Sequence, residues 1–235
     1  KKAMLEKLKE GKIVLIDKPL DWTSFDAVNK IRWHIRRTHD LKKFKVGHAG
    51  TLDPKATGLL ILCLGKETKN IELYQGQPKV YTGTIKLGVT TPSYDLETEE
   101  TETFPTEHIT PETIQSVCQQ FIGEIDQIPP VFSALRQDGK RLYEMARKGK
   151  EVEVKSRKVF IEYLKITRIE MPFVDFEVKC SKGTYIRSLA YDFGKALDSG
   201  SYLVALRREK IGNFDVKNAF DIDTFIEKII AQEDF

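Results

Sequence analysis

The run LLILCL, Leu59–Leu64, holds six apolar residues in a row and nothing polar. Turn formers flank it, GHAGTLDP (47–54) shortly before and Gly65 directly after, and a run of this length between such signals reads as a buried strand. A chain that must hide such a strand needs layers of structure over it. Its 235 residues, 40% of them apolar, suffice for one large domain or two small ones. We expect a single domain over 1–235.

The other segments mix strand and helix periods. Ile13–Ile16 reads as a strand leading into a loop at Asp17, Lys18 and Pro19. Thr23 or Ser24 can cap a helix, with Asp26 completing a capping box after Thr23. Phe25, Val28, Ile31 and Ile35 should then face inward. VYTGTIKLG and VDFEVKCS alternate as strands. Thr110 and Pro111 open a helix with Ile114, Val117, Cys118, Phe121 and Ile122 inward and Gly123 at its end. KGT turns the chain into the helical pattern YIRSLAYDFGKALD, SYLVAL is a last strand and IDTFIEKII a last helix. No internal repeat and no regular βαβ rhythm is present. The expected fold is α/β of the α+β kind, a mixed and mostly antiparallel sheet flanked by helices.

The net charge of +3 hides a segregation. Residues 29–48 hold seven Lys or Arg against one acid, and residues 136–158 hold nine against four, while 91–127 hold nine acids and no Lys or Arg. Two basic segments on one face would suit a phosphate backbone, though solvated helix faces would look the same. The second lies in a proline-rich, charged stretch, 127–158, that reads as an exposed, mobile excursion. No apolar stretch approaches a membrane span, and the N-terminus lacks the apolar segment of a secretory signal, so the cytoplasm is the expected location. Cys63, Cys118 and Cys180 are far apart and read as reduced core thiols. The four histidines have no metal-ligand spacing, and no phosphate-binding glycine loop is present, so neither a metal nor a nucleotide cofactor is expected.

In GHAGTLDP one carboxylate, Asp53, precedes a proline that holds it extended. Asp53 could simply form the turn. A second acid at a glycosidase separation cannot be read from the sequence. What remains is a lone carboxylate working beside a basic surface.

Several segments carry a resemblance. LIDKPLDWTS, VGHAGTLDPKATGLLILCLGKETK, QIPPVFSALRQDGKRLYEMARKG and CSKGTYIRSLAYDFG resemble, in order along the chain, segments of the TruB family of tRNA pseudouridine synthases, and VYTGTIKLG and LRREKIGNF do so too. The similarity covers essentially the whole chain and is to the bacterial type. It implies a catalytic role for Asp53, a tyrosine stacking on the target base in Tyr81, and a guanidinium pairing with the catalytic carboxylate in Arg187. It implies that Tyr185 and Leu206 line the uridine pocket, that His48 contacts the tRNA and helps fill the gap left by the displaced nucleotide, and that Lys18 supports the active-site loops. On pattern alone, Tyr81 and Leu206 would be core residues and Arg187 a surface helix residue.

The implied reaction breaks the N1–C1′ bond of a uridine, rotates the uracil and rejoins it through C5, without metal or cofactor. The implied substrate is the T-arm stem-loop of tRNA, with the target uridine at position 55 in tRNA numbering, flipped out of its stack. The basic excursion 127–158 matches a thumb-like insertion that closes over the stem-loop. The chain ends at Phe235 without room for the C-terminal PUA domain of many relatives, and a monomer without membrane association is expected. Two rival readings are a tRNA-binding folding chaperone and a guide-RNA-dependent subunit that modifies ribosomal RNA.

Overall fold

The computed structural model describes residues 2–131 and 155–235, together with the backbone of 136–137 and 140–141. The chain forms two compact units, residues 1–80 with 207–235 and residues 81–206. In chain order the strands are β1 (Lys12–Lys18), β2 (Val46–His48), β3 (Ala56–Leu64), β4 (Lys79–Leu87), β5 (Val89–Thr90), β6 (Glu102–Thr103), β7 (Gly123–Gln127), β8 (Arg136–Gln137), β9 (Lys140–Arg141), β10 (Arg157–Glu170), β11 (Phe173–Cys180), β12 (Ser201–Ile211), β13 (Phe214–Asp215) and β14 (Phe220–Asp221).

In the first unit β3 contains LLILCL, and its surroundings explain the unbroken apolar run. Leu60, Leu62 and Leu64 pack on one face with Ile16, Ile31, Ile35 and Phe225. Leu59, Ile61 and Cys63 pack on the other with Ile211, Ile71 and Phe214. With both faces covered, no position of the run can be polar without burying that group. Full burial of each leucine contributes about 1.5–3 kcal/mol. β1 runs antiparallel along β3, from Lys12 opposite Leu64 to Lys18 opposite Gly58, and β14 lies parallel to β1. The opposite edge of β3 is shared: β2 pairs with Leu62–Leu64, and Arg208 of β12 lies against Gly58.

The helices Ser24–Thr38 and Ile222–Ala231 cover the first face. Thr23 caps the former, and Asp26 completes the expected capping box. Val28, Ile31 and Ile35 point inward as expected, but Phe25 is 62% exposed. Ser24, not Phe25, starts the inward stripe, because one residue is about 100° of helix rotation and Ser24 is bonded to the loop beneath it. The helix Lys2–Glu10, absent from the sequence reading, buries Met4 and Leu8, four residues apart on one face.

In the second unit β12, β4, β11, β10 and β7 lie side by side in that order, and the β7–β10 and β10–β11 pairs are antiparallel. Val174, Phe176, Val178 and Cys180 of β11 are buried as their alternation requires. The helix Ile186–Ala196 contributes Leu189, Ala190 and Phe193 to the core, and Phe193 meets Phe121 with ring centres 6.0 Å apart.

The helix expected to reach Gly123 ends at Cys118. The chain tightens into a 3-10 turn over Gln119–Phe121, and Ile122 then adopts an extended conformation that leaves it exposed rather than inward. SYLVAL is only the first half of β12, whose second half is RREKI. The charged residues hid this continuation. All three cysteines are buried, and burial pushes the Cys63 thiol up to about 11. Of the excursion expected over 127–158, the backbone of β8 and β9 pairs antiparallel, while 132–135, 138–139 and 142–154 lie outside the described residues. Among the described residues no helix is long and apolar enough to cross a membrane.

Candidate active site

Asp53 sits in a loop anchored at nearly every residue. Ala49 N–H donates to Ile61 O at 2.9 Å, continuing the β2–β3 pairing into the loop. Leu52 is held twice by Ser24, whose hydroxyl accepts from Leu52 N–H at 2.9 Å and donates to Leu52 O at 3.1 Å. Asp21 N–H donates to Pro54 O at 2.8 Å, and the Asp21 carboxylate takes Lys55 Nζ at 2.7 Å. Ala56 N–H closes a turn onto Asp53 O at 2.9 Å. The backbone that carries this half-buried carboxylate is therefore fixed on both sides of it.

Arg208 supplies the remaining anchors and is only 1% exposed. Its Nε donates to Leu59 O at 2.8 Å, its Nη2 to Gly50 O at 3.0 Å and its Nη1 to Thr51 O at 3.4 Å. One guanidinium thus ties β3 to the loop, using the planar fork that a lysine lacks. The approach depends on Gly58, where φ is +110° and an added Cβ would sit 2.3 Å from Arg208 O. Beside it, Arg207 makes a two-point pair with Asp17 at 2.8 and 3.0 Å and donates to Thr57 Oγ1 at 3.3 Å.

Lys18 is fully buried at the end of β1 and donates to Pro19 O at 2.9 Å and Trp22 O at 2.6 Å. These bonds tie the end of β1 to the turn that leads to Asp21. Burial lowers its pKa to about 8, against the opposing pull of Asp53 and then Asp21. His48, at the end of β2, is held below its ordinary value by burial and by the Arg208 charge, so its ring is neutral at pH 7. Lys18, His48 and Asp53 thus share one neighbourhood in the first unit, with Arg208 acting on the first two.

The second unit holds the other four expected residues. Tyr81, on β4, is buried as an inward strand residue should be, and Leu206, on β12, is half-buried. Arg187 is not on the surface: it is 6% exposed at the start of the helix Ile186–Ala196, with Nη1 donating to Ser93 O at 3.2 Å. Ser93 Oγ in turn donates to the buried Asp95 carboxylate at 2.6 Å, and Tyr94 stacks on Tyr191 with ring centres 4.0 Å apart. The side-chain amide of buried Gln127 clamps the backbone of Tyr185, accepting from its N–H at 2.7 Å and donating to its C=O at 3.0 Å. Arg157 lies over the Tyr185 ring, 5.4 Å from its centre.

Ser24, Gln127 and Arg208 escaped the sequence reading. Only Arg208 had a signal, a second arginine within the family-like LRREKIGNF; nothing in the sequence distinguishes a serine or glutamine whose partners are distant backbone groups.

Residues 36–186 match the family model described as TruB family pseudouridylate synthase (N terminal domain). tRNA pseudouridine synthase B of Flavobacterium johnsoniae is 61% identical over 225 residues, covering 95% of this chain and 98% of that protein. The protein of the same name from Phocaeicola vulgatus is 52% identical over 225 residues, covering 96% of each. Among solved structures, the crystal structure of a Cbf5-Nop10-Gar1 complex superposes with a TM-score of 0.70 at 28% identity, over 95% of this chain; the chain spans 56% of that one. By the extent of the family match and by identity to full-length relatives, the chain belongs to the TruB family of pseudouridylate synthases.

Proposed function

We propose that this pseudouridine synthase acts on the T-arm stem-loop of tRNA, converting the uridine at position 55 in tRNA numbering, with Asp53 as its catalytic carboxylate. The isomerisation and the tRNA substrate accord with the family and with the names of relatives sharing half or more of the sequence. The observation that carries the role of Asp53 is its loop, fastened by Ile61, Ser24, Asp21 and Arg208 so that the carboxylate meets the sugar and base in a fixed position.

The chemistry assigns the other residues. Breaking N1–C1′ requires an ionised carboxylate near C1′ or the base, and a guanidinium partner keeps a carboxyl ionised; that is the role of Arg187. Tyr81 offers a flat face on which the detached uracil turns before C5 bonds to C1′ and the C5 proton leaves. Tyr185 and Leu206 line the uridine pocket, and neutral His48 fills the gap in the RNA stack once the target base is flipped out. The chain acts alone as a cytoplasmic monomer.

A folding chaperone would need no such carboxylate. A guide-RNA-dependent role is disfavoured because relatives named tRNA pseudouridine synthase B are 61% and 52% identical over nearly the whole chain. The test is to incubate pure protein with an unmodified T-arm stem-loop and to analyse its nucleosides by mass spectrometry. Pseudouridine is expected, and none from a stem-loop with cytidine at the target. An inactive protein that gains activity only with added guide RNA would overturn the proposal.

A further inference from the structure

The active-site roles leave one surface of the first unit unused. Trp33, on the solvent side of the helix Ser24–Thr38, is 52% exposed. The Arg37 guanidinium lies 5.2 Å from its ring centre, and the His34 ring meets it edge-on at 4.8 Å. Burial, then Lys30 and Arg37, keep His34 below its ordinary pKa, so two uncharged rings and one guanidinium form a shelf. Arg36 and Arg37 on the same helix and Lys42, Lys43 and Lys45 in the chain that follows it are exposed, and none of the five meets a carboxylate among the described residues.

An aromatic face on an exposed basic segment suits nucleic acid, with the ring stacking a base and the cations taking phosphates. A protein partner could cover an exposed tryptophan, but the density of exposed positive charge favours a polyanion. Stacking needs an unpaired base, since a duplex stem offers none. Ser24, at the helix start, is bonded to Leu52 of the catalytic loop, and Trp33 stands nine residues further along, about 13 Å at 1.5 Å per residue. That separation sets the shelf apart from the loop at which the target uridine is proposed to react, which assigns it to a different part of the folded RNA.

We infer that Trp33, with Arg37 and His34, is a stacking site for an unpaired base of the substrate tRNA outside the T-arm stem-loop. This rests on the proposed tRNA reaction and assigns a second contact to it. The probes are an unmodified full-length tRNA transcript and the isolated T-arm stem-loop, with dissociation constants and turnover measured for wild type, Trp33→Ala and Trp33→Phe. Trp33→Ala should weaken tRNA binding about tenfold and Trp33→Phe, which keeps a ring, distinctly less, while both variants bind and convert the stem-loop like wild type. Unchanged tRNA affinity in Trp33→Ala, or an equal loss on both RNAs, would overturn the inference. Failure of the wild type to convert either RNA would instead count against the proposed function, and the binding comparison would still decide the shelf.

Discussion

Replacing Arg208 tests whether the loop that carries Asp53 is held from beneath. Arg208→Met fills much of the same volume but removes the donors to Leu59 O, Gly50 O and Thr51 O. The Thr51 bond is long, at 3.4 Å, and Thr51 is exposed, so water can replace it. The other two carbonyls lose short bonds to a charged donor, and a buried acceptor left unpaired costs about 1–3 kcal/mol. The expected destabilisation is therefore about 2–6 kcal/mol, read as a lower urea midpoint. The larger effect should be on chemistry, because a misplacement of about 1 Å can cost about a hundredfold in rate. Single-turnover pseudouridine formation with saturating enzyme, at a temperature where circular dichroism shows Arg208→Met folded, should fall by about that factor, with stem-loop affinity changed only a few-fold. Arg208→Lys, which can satisfy one carbonyl at a time, should fall between. A folded Arg208→Met with a single-turnover rate within threefold of wild type would refute this account of the loop.

Gly58→Ala should be among the most damaging single substitutions, at about 3 kcal/mol or more, because the new Cβ meets Arg208 O at 2.3 Å and φ there is +110°; a urea midpoint within error of wild type would contradict the close approach. Lys18, lowered from 10.5 to about 8, binds fewer protons folded than unfolded between those values, so its contribution to stability rises with pH across that window. The stability difference between wild type and Lys18→Met, from urea melts at about pH 7.5 and about pH 10, should therefore shift in favour of wild type at the higher pH, and a flat difference would count against a buried amine. Gln127→Glu keeps an acceptor for Tyr185 N–H but sets a carboxylate against Tyr185 O, so a loss of about 2 kcal/mol is expected; Gln127→Met, which removes both bonds without adding a charge, should cost less if that repulsion matters.

The sequence was most legible where burial imposes a period. LLILCL, VDFEVKCS and the helix starting after Thr23 lie where their patterns placed them, because alternation and capping are local signals that packing reinforces. Legibility failed where a polar side chain serves distant backbone. Ser24 displaced Phe25 from the inward stripe because its hydroxyl is tied to Leu52, 28 residues away. The pattern of LRREKI does not mark a buried arginine, yet Arg208 is buried because carbonyls on β3 and the Asp53 loop satisfy it. Ile122 follows a helix that ends early in a 3-10 turn, a choice that side-chain period does not encode. Asp53 was found through a motif, but the reason its loop can position a carboxylate lies in Ser24, Asp21 and Arg208, none of which the motif contains.

The central claim is that Asp53 carries out the chemistry while other groups hold the RNA. Wild type and Asp53→Asn are compared on an unmodified tRNA transcript whose uridines carry tritium at C5, which leaves as a proton when C5 bonds to C1′. Wild type should release one tritium per target uridine. Asp53→Asn should release none while binding the transcript within about tenfold of wild type, because phosphate contacts elsewhere dominate affinity. Tritium release by a clean Asp53→Asn preparation would contradict the assignment.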